Sequence, residues 1–214
     1  MASLGRASVL LASGTIVSRI LGFVRAAVLA AAIGAFSEGA NAFGIANQLP
    51  NNIYTIIASG ILSAVLVPQI VRANSHADGG KAFINKLFTI ALVVLLIATL
   101  AAMLLAPALI QLYTRNWSEA QLALGTAMAY WCLPQIFFYG LYALLGEVLN
   151  AKKVFGPFTW APIINNVIAL IGLGAFIWIF GLYNKETAAI TDWTPERIAL
   201  LGGLTTLGVA AQAL

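Results

Sequence analysis

Arg19 and Arg25 stand inside an otherwise apolar stretch, GTIVSRILGFVRAAVLAAAIG, where ionised side chains are rare. An arginine near the centre of a membrane-spanning helix costs about 2.5–3.5 kcal/mol on an insertion scale, and each Leu, Ile, Val or Phe returns only about 0.3–0.6. Val9 to Ile33 contains 12 such apolar residues, so roughly −4 to −7 kcal/mol opposes roughly +5 to +7. A helix so balanced needs a partner or a hydrated cavity for its cations. The guanidinium fork matches phosphate in geometry and charge, which makes an anionic ligand the chemistry these residues suit. A plain structural account is also open: Arg25 snorkels toward an interface and Arg19 is neutralised by a neighbouring carbonyl. On a straight helix the two lie about 120° apart and about 9 Å along the axis, so they share no face. Gly22 stands between them, where a bend or unwinding would bring both toward one cavity.

The next stretch, ANAFGIANQLPNNIYTIIASG, carries Asn41, Asn47, Gln48, Asn51 and Asn52 around Pro50. Amides facing lipid are costly, so these are expected to face protein or water. They serve either as glue between helices or as the lining of a cavity. Pro134, and Pro162 followed by Asn165 and Asn166, repeat the theme of interrupted, amide-bearing helices that line cavities in secondary transporters.

The remaining reactive side chains assemble into nothing catalytic. His76 is the only histidine and lies near Asp78 in a charged connection, and Cys132 is the only cysteine. One thiol excludes an intrachain disulfide and a multi-thiolate metal site. There is no Gly-rich phosphate loop and no paired intramembrane carboxylate; Glu147 is the one acid within a span. Asn116-Trp117-Ser118 matches a glycosylation sequon, a pattern too short to decide anything. The expectation is a protein that is not an enzyme, with no cofactor and no metal.

What positions these residues follows from composition. Of 214 residues, 8% are charged and 61% apolar, against about 25% and 45–50% in soluble domains. The 11 cations are too dispersed to form a nucleic-acid patch, which excludes a nucleic-acid partner. Uncharged runs extend over Gly39–Val71, Leu87–Thr114, Ala120–Gly146 and Val154–Asn184. Each exceeds the roughly 20 residues that a helix needs to cross a bilayer, and none alternates as a membrane barrel strand does. An all-α polytopic membrane protein is expected, with approximate spans 9–33, 40–71, 85–112, 121–149, 157–182 and 197–214. The last stops inside GGLTTLGVAAQAL, and Leu214 is read as a truncation point. Arg6, Arg72, Lys81, Lys86, Lys152 and Lys153 fall on one side of these spans. Arg115, Lys185 and Arg197 fall on the other, with five of the seven acids. The positive-inside rule then places the N-terminus in the cytoplasm. Arg19 and Arg25 also break the clean apolar core that a cleaved signal peptide requires.

In their order and spacing these motifs resemble the MurJ (MviN) family, part of a larger superfamily of multidrug and oligosaccharide-lipid exporters. Ser18-Arg19, Leu21-Gly22-Phe23 and Arg25 look like its first-helix signature, and Ala42-Phe43 with Leu49-Pro50-Asn51 like its second. Gly60, Ser63 and Val67-Pro68 continue the match, as do Leu149-Asn150, Phe155, Ala161-Pro162 and Asn166. The resemblance implies a lipid II flippase of the bacterial cell membrane with two pseudo-symmetric six-helix lobes. This chain would be the N-terminal lobe, cut in its sixth helix, with the C-terminal lobe of the same chain as its missing partner. It further implies that Arg19 and Arg25 engage the substrate's diphosphate; Ser18, Asn41 and Asn51 are expected on their own chemistry as further substrate-binding residues, the two amides contacting sugar or holding the shape of the cavity. Ala26, Asn41, Tyr54 and Ser59 stand where many relatives carry charges, which makes this cavity less charged. Alternatives are an exporter of another lipid-linked oligosaccharide or a drug, and a non-transporting scaffold for cell-wall enzymes.

Overall fold

The computed structural model describes residues 2–58, 81–151, 154, 156–185 and 189–214. His76, Arg72, Gly60, Ser63, Val67-Pro68, Lys152, Lys153, Phe155 and the later part of the second expected span lie outside the described residues.

The described residues are helical, with no strand among them: α1 (Ala2–Ile33), α2 (Glu38–Ile57), α3 (Lys81–Leu104), α4 (Ala106–Tyr113), α5 (Glu119–Cys132), α6 (Gln135–Ala151), α7 (Gly156–Phe180) and α8 (Pro195–Ala213), with a 3₁₀ turn at Ile190–Asp192. In a bilayer a helix satisfies every backbone group within its own segment, which long Leu/Ile/Val/Ala runs favour. Ala12–Ile33, Asn85–Leu104, Glu119–Leu149 and Gly156–Phe180 are each long and apolar enough to cross a membrane. The amide-rich α2 and the shorter α8 lie within the same bundle.

Prolines act according to position. Pro50 and Pro162 are carried inside continuous helices. Pro134, by contrast, separates α5 from α6, and Pro107 enters the first turn of α4 just after α3 ends. A proline lacks the N–H that its helix would otherwise donate one turn back, so both expected single spans become pairs of helices. Gly22 breaks nothing: α1 is uninterrupted from Ala2 to Ile33.

α1 packs chiefly on α7, α7 on α8, and α8 on α5 and α6, while α2 lies against α5 and α6. Gly34, in the left-handed region at φ 78°, turns the chain from α1 to α2. Ser37 caps α2, its Oγ accepting from the Ala40 N–H at 2.9 Å. The main core forms where α2, α5, α7 and α8 meet around Phe43, Leu49, Met128, Leu133, Phe176 and Leu201. A second, separate cluster joins Ala91 and Leu95 of α3 to Leu144 of α6.

Candidate functional site

On α1, Gly14, Ser18, Gly22 and Arg25 recur at the spacing of one helical stripe, which faces α7. Asn166 Nδ2 of α7 donates to the Ser18 carbonyl at 3.0 Å and approaches Ser18 Oγ at 3.4 Å. This tie fixes the rotation of α1 about its axis. Arg25, on the same stripe, is half-buried and lines a crevice of about 10 Å³ with Leu29, Phe43, Leu173, Leu201 and Thr205. That volume holds about one water. Among the described residues, its electrostatic neighbours are Tyr139 and Cys132, neither of them a carboxylate. Arg19 lies off the stripe and is exposed.

The expected site residues are therefore only partly brought together. Ser18 and Arg25 share one face of α1, and Arg19 points elsewhere because the helix continues unbroken through Gly22. Asn41 and Asn51 are both exposed on α2. The Asn51 carbonyl accepts the Thr55 hydroxyl at 2.7 Å. Glu147 is exposed on α6.

A polar centre that the sequence reading passed over lies at the α5–α6 junction. Gln135 is 0% exposed. Its Nε2 donates to Asn47 Oδ1 of α2 at 3.3 Å and to Thr206 Oγ1 of α8 at 3.0 Å. Tyr139 Oη donates to Gln135 Oε1 at 3.2 Å, and Thr206 Oγ1 donates to the Trp131 carbonyl at 2.6 Å. The signal available in the sequence was the pair Pro134-Gln135, an amide beside a helix breaker in an apolar run. A second amide bridge joins Asn165 Nδ2 of α7 to Gln212 Oε1 of α8 at 2.9 Å, and Asn165 Oδ1 is buried without a partner. The Tyr54 and Tyr139 rings lie 6.0 Å apart, continuing the polar and aromatic surface from α2 to α6.

At the end of the bundle where α1 turns into α2, Arg197 braces the wall of a cavity of about 80 Å³ that Ser37, Tyr183, Asp192 and Trp193 also line. Its guanidinium donates to the Asp192 carbonyl at 3.0 Å and the Phe180 carbonyl at 3.4 Å, and lies 5.0 Å from the centre of the Phe180 ring. A cation on the last carbonyls of α7 compensates that helix end.

Comparisons with known proteins agree with this architecture. A sequence model described as "Lipid II flippase MurJ" matches residues 29–214, a span that begins just after the two arginines. A probable lipid II flippase MurJ of Rickettsia prowazekii (strain Madrid E) is 30% identical over 195 residues, 88% of this chain and 37% of the relative. That of Rhizobium meliloti (strain 1021) is 28% identical over 205 residues, 94% of this chain and 37% of the relative. A solved structure of a lipid II flippase MurJ in an inward closed conformation shares the fold, with a TM-score of 0.69 and 21% identity. The match covers 96% of this chain and 40% of that one. The chain thus spans well under half the length of these relatives. With the family model covering most of its residues, on a helical membrane bundle, this chain belongs to the lipid II flippase MurJ family.

Proposed function

We propose that this chain forms one lobe of a flippase that moves the undecaprenyl-diphosphate-linked peptidoglycan precursor from the cytoplasmic to the outer leaflet of the bacterial cell membrane. The physical task is to carry a diphosphate-sugar-peptide headgroup through a layer in which each unsatisfied polar group costs several kcal/mol. A cationic, hydrated cavity with alternating access lowers that cost while the polyprenyl tail stays in lipid. Arg19 and Arg25 bind the diphosphate; Ser18, Asn41 and Asn51 contact the substrate or hold the shape of the cavity. A second lobe supplies the opposite wall, and the N-terminus faces the cytoplasm.

Family membership supports the substrate class, and one structural observation carries the role of the arginines. Arg25 stands half-buried with no carboxylate among its described electrostatic neighbours, a charge in want of an anion. The different exposure of Arg19 and Arg25 favours grips at two points of a passing headgroup over a single pincer in this conformation. The test is complementation in cells depleted of their own lipid II flippase, with the protein expressed from its full reading frame. Arg19→Ala with Arg25→Ala is expected to abolish rescue at normal expression, and Arg25→Lys to restore it only partly, since Lys lacks the planar fork. Full rescue by the double alanine variant would remove the anion-binding role.

A further inference from the structure

We infer that α3 and α6 form a unit that bends against the rest of the bundle about Pro134, with Gln135 as the latch that holds it in the state seen here. The inference concerns how the lobe moves and does not depend on which substrate it carries.

Three observations converge on it. First, α3 and α6 share a small hydrophobic cluster beyond the pivot. Ala91, Leu95 and Leu144 form a cluster on α3 and α6; Ile57 of α2 packs against both this cluster and the core around Phe43, Met128 and Leu201, to which Ile136 at the start of α6 belongs. Gly140 of α6 lets Leu95 of α3 pack directly on its backbone, where any Cβ would collide with the leucine side chain. The pair is therefore tightly joined internally.

Second, both members of the pair are interrupted where their spans continue, α3 at Leu105 alone, which keeps its bonds to Ala101 and Leu109, and α6 more fully at Pro134. α3 ends at Leu104 and α6 begins at Gln135, whereas α4 and α5 pack on one another beyond these breaks. Pro134 has no N–H for the Tyr130 carbonyl, and the Ile136 and Phe137 N–H groups turn back to Leu133 and Pro134 at 3.0 and 3.2 Å. A junction whose backbone bonds are local resists bending less than a continuous helix. The angle is held by the packing of Leu133 and Ile136 in the main core and by side-chain bonds from other helices. Thr206 caps the Trp131 carbonyl, and Gln135 ties Thr206 to Asn47. Gln135 thus connects α2, α6 and α8 at the pivot, and polar bonds within a membrane bundle are individually weak enough to exchange.

Third, α6 meets α7 across a groove and not through a close-packed seam. Leu145, Leu149, Trp160, Ile164 and Ala211 line an apolar groove of about 290 Å³ between α6, α7 and α8. The tie across it is Tyr142, stacked 4.9 Å from Phe158 with its hydroxyl donating to the Phe158 carbonyl at 2.8 Å.

The test places spin labels on cysteines in the full chain reconstituted in lipid nanodiscs, with Cys132 out of reach of the label because it is 0% exposed. Leu96→Cys with Ile171→Cys reports across the boundary, and Leu96→Cys with Glu147→Cys reports within the unit; all three positions are exposed. Gln135→Leu is expected to add a second population to the cross-boundary distance distribution and to leave the within-unit distribution unchanged. Pro134→Ala, which returns an N–H to the junction, is expected to remove that population when combined with Gln135→Leu. If Gln135→Leu alters both distributions, the residue merely holds the fold together and the inference fails. It fails equally if neither distribution changes, or if the second population persists in the combined variant.

Discussion

Asn166 shows how one side chain sets the direction of another that it does not touch. It is buried, and its amide reaches from α7 to the backbone of α1 at Ser18, seven positions before Arg25 on nearly the same face. Loss of that bond releases the rotation of α1, and with it the burial of Arg25. Asn166→Ala is expected to destabilise the bundle by roughly 0.6–1.7 kcal/mol, the range of interhelical hydrogen bonds in membranes. Ser18→Ala is expected to cost less, because the closer contact, at 3.0 Å, is with the Ser18 carbonyl. Denaturation in mixed micelles, followed by loss of helical circular dichroism, measures both. An equal cost for the two variants would transfer the tie to the hydroxyl. The type and position of Arg25 were legible in the sequence, as was an amide at position 166. That the two lie on one interface was not, since they are 141 residues apart in the chain.

At the scale of elements, starts and stops were largely written in local chemistry. Ser118 caps α5 and forms a reciprocal box with Gln121: Gln121 N donates to Ser118 Oγ and Ser118 N to Gln121 Oε1, both at 3.2 Å. The serine of the Asn116-Trp117-Ser118 pattern therefore has a structural use as a helix cap. Ser118→Ala is expected to lower stability by about 1 kcal/mol, and Ser118→Asp to be nearly neutral, as Asp caps equally well. Thermal unfolding of the two variants in the same detergent separates these outcomes. The prolines were equally visible, but their effects diverged: Pro134 ends a helix and Pro50 does not. Sequence reasoning assigns a proline the same lost donor wherever it stands. Packing from other helices decides whether the chain continues past the lost bond; at Pro134 the Thr206 hydroxyl of α8 takes up the Trp131 carbonyl, next to the Tyr130 carbonyl that the proline leaves without its donor.

For the whole molecule, the charge asymmetry between its connections makes a testable statement about orientation. Lys86 lies at the starting end of the α3–α4 span and Arg115 follows its other end, both exposed. With the N-terminus in the cytoplasm, Arg115→Cys is expected to react with an impermeant maleimide in intact cells, and Lys86→Cys only after the membrane is permeabilised. The opposite pattern would invert the topology. The sequence by itself determined the class of molecule and where its misplaced charges are. A bilayer demands that long apolar runs satisfy their backbone internally, which only helices do in such runs, and it penalises every cation within them. Only the tertiary structure decided that Arg25 turns inward while Arg19 stays outside, and that Gln135 binds Asn47 and Thr206, 88 and 71 residues away. The rotation of a helix about its axis is set by the neighbours it packs against, and those neighbours are brought together by the fold and not by adjacency in the chain.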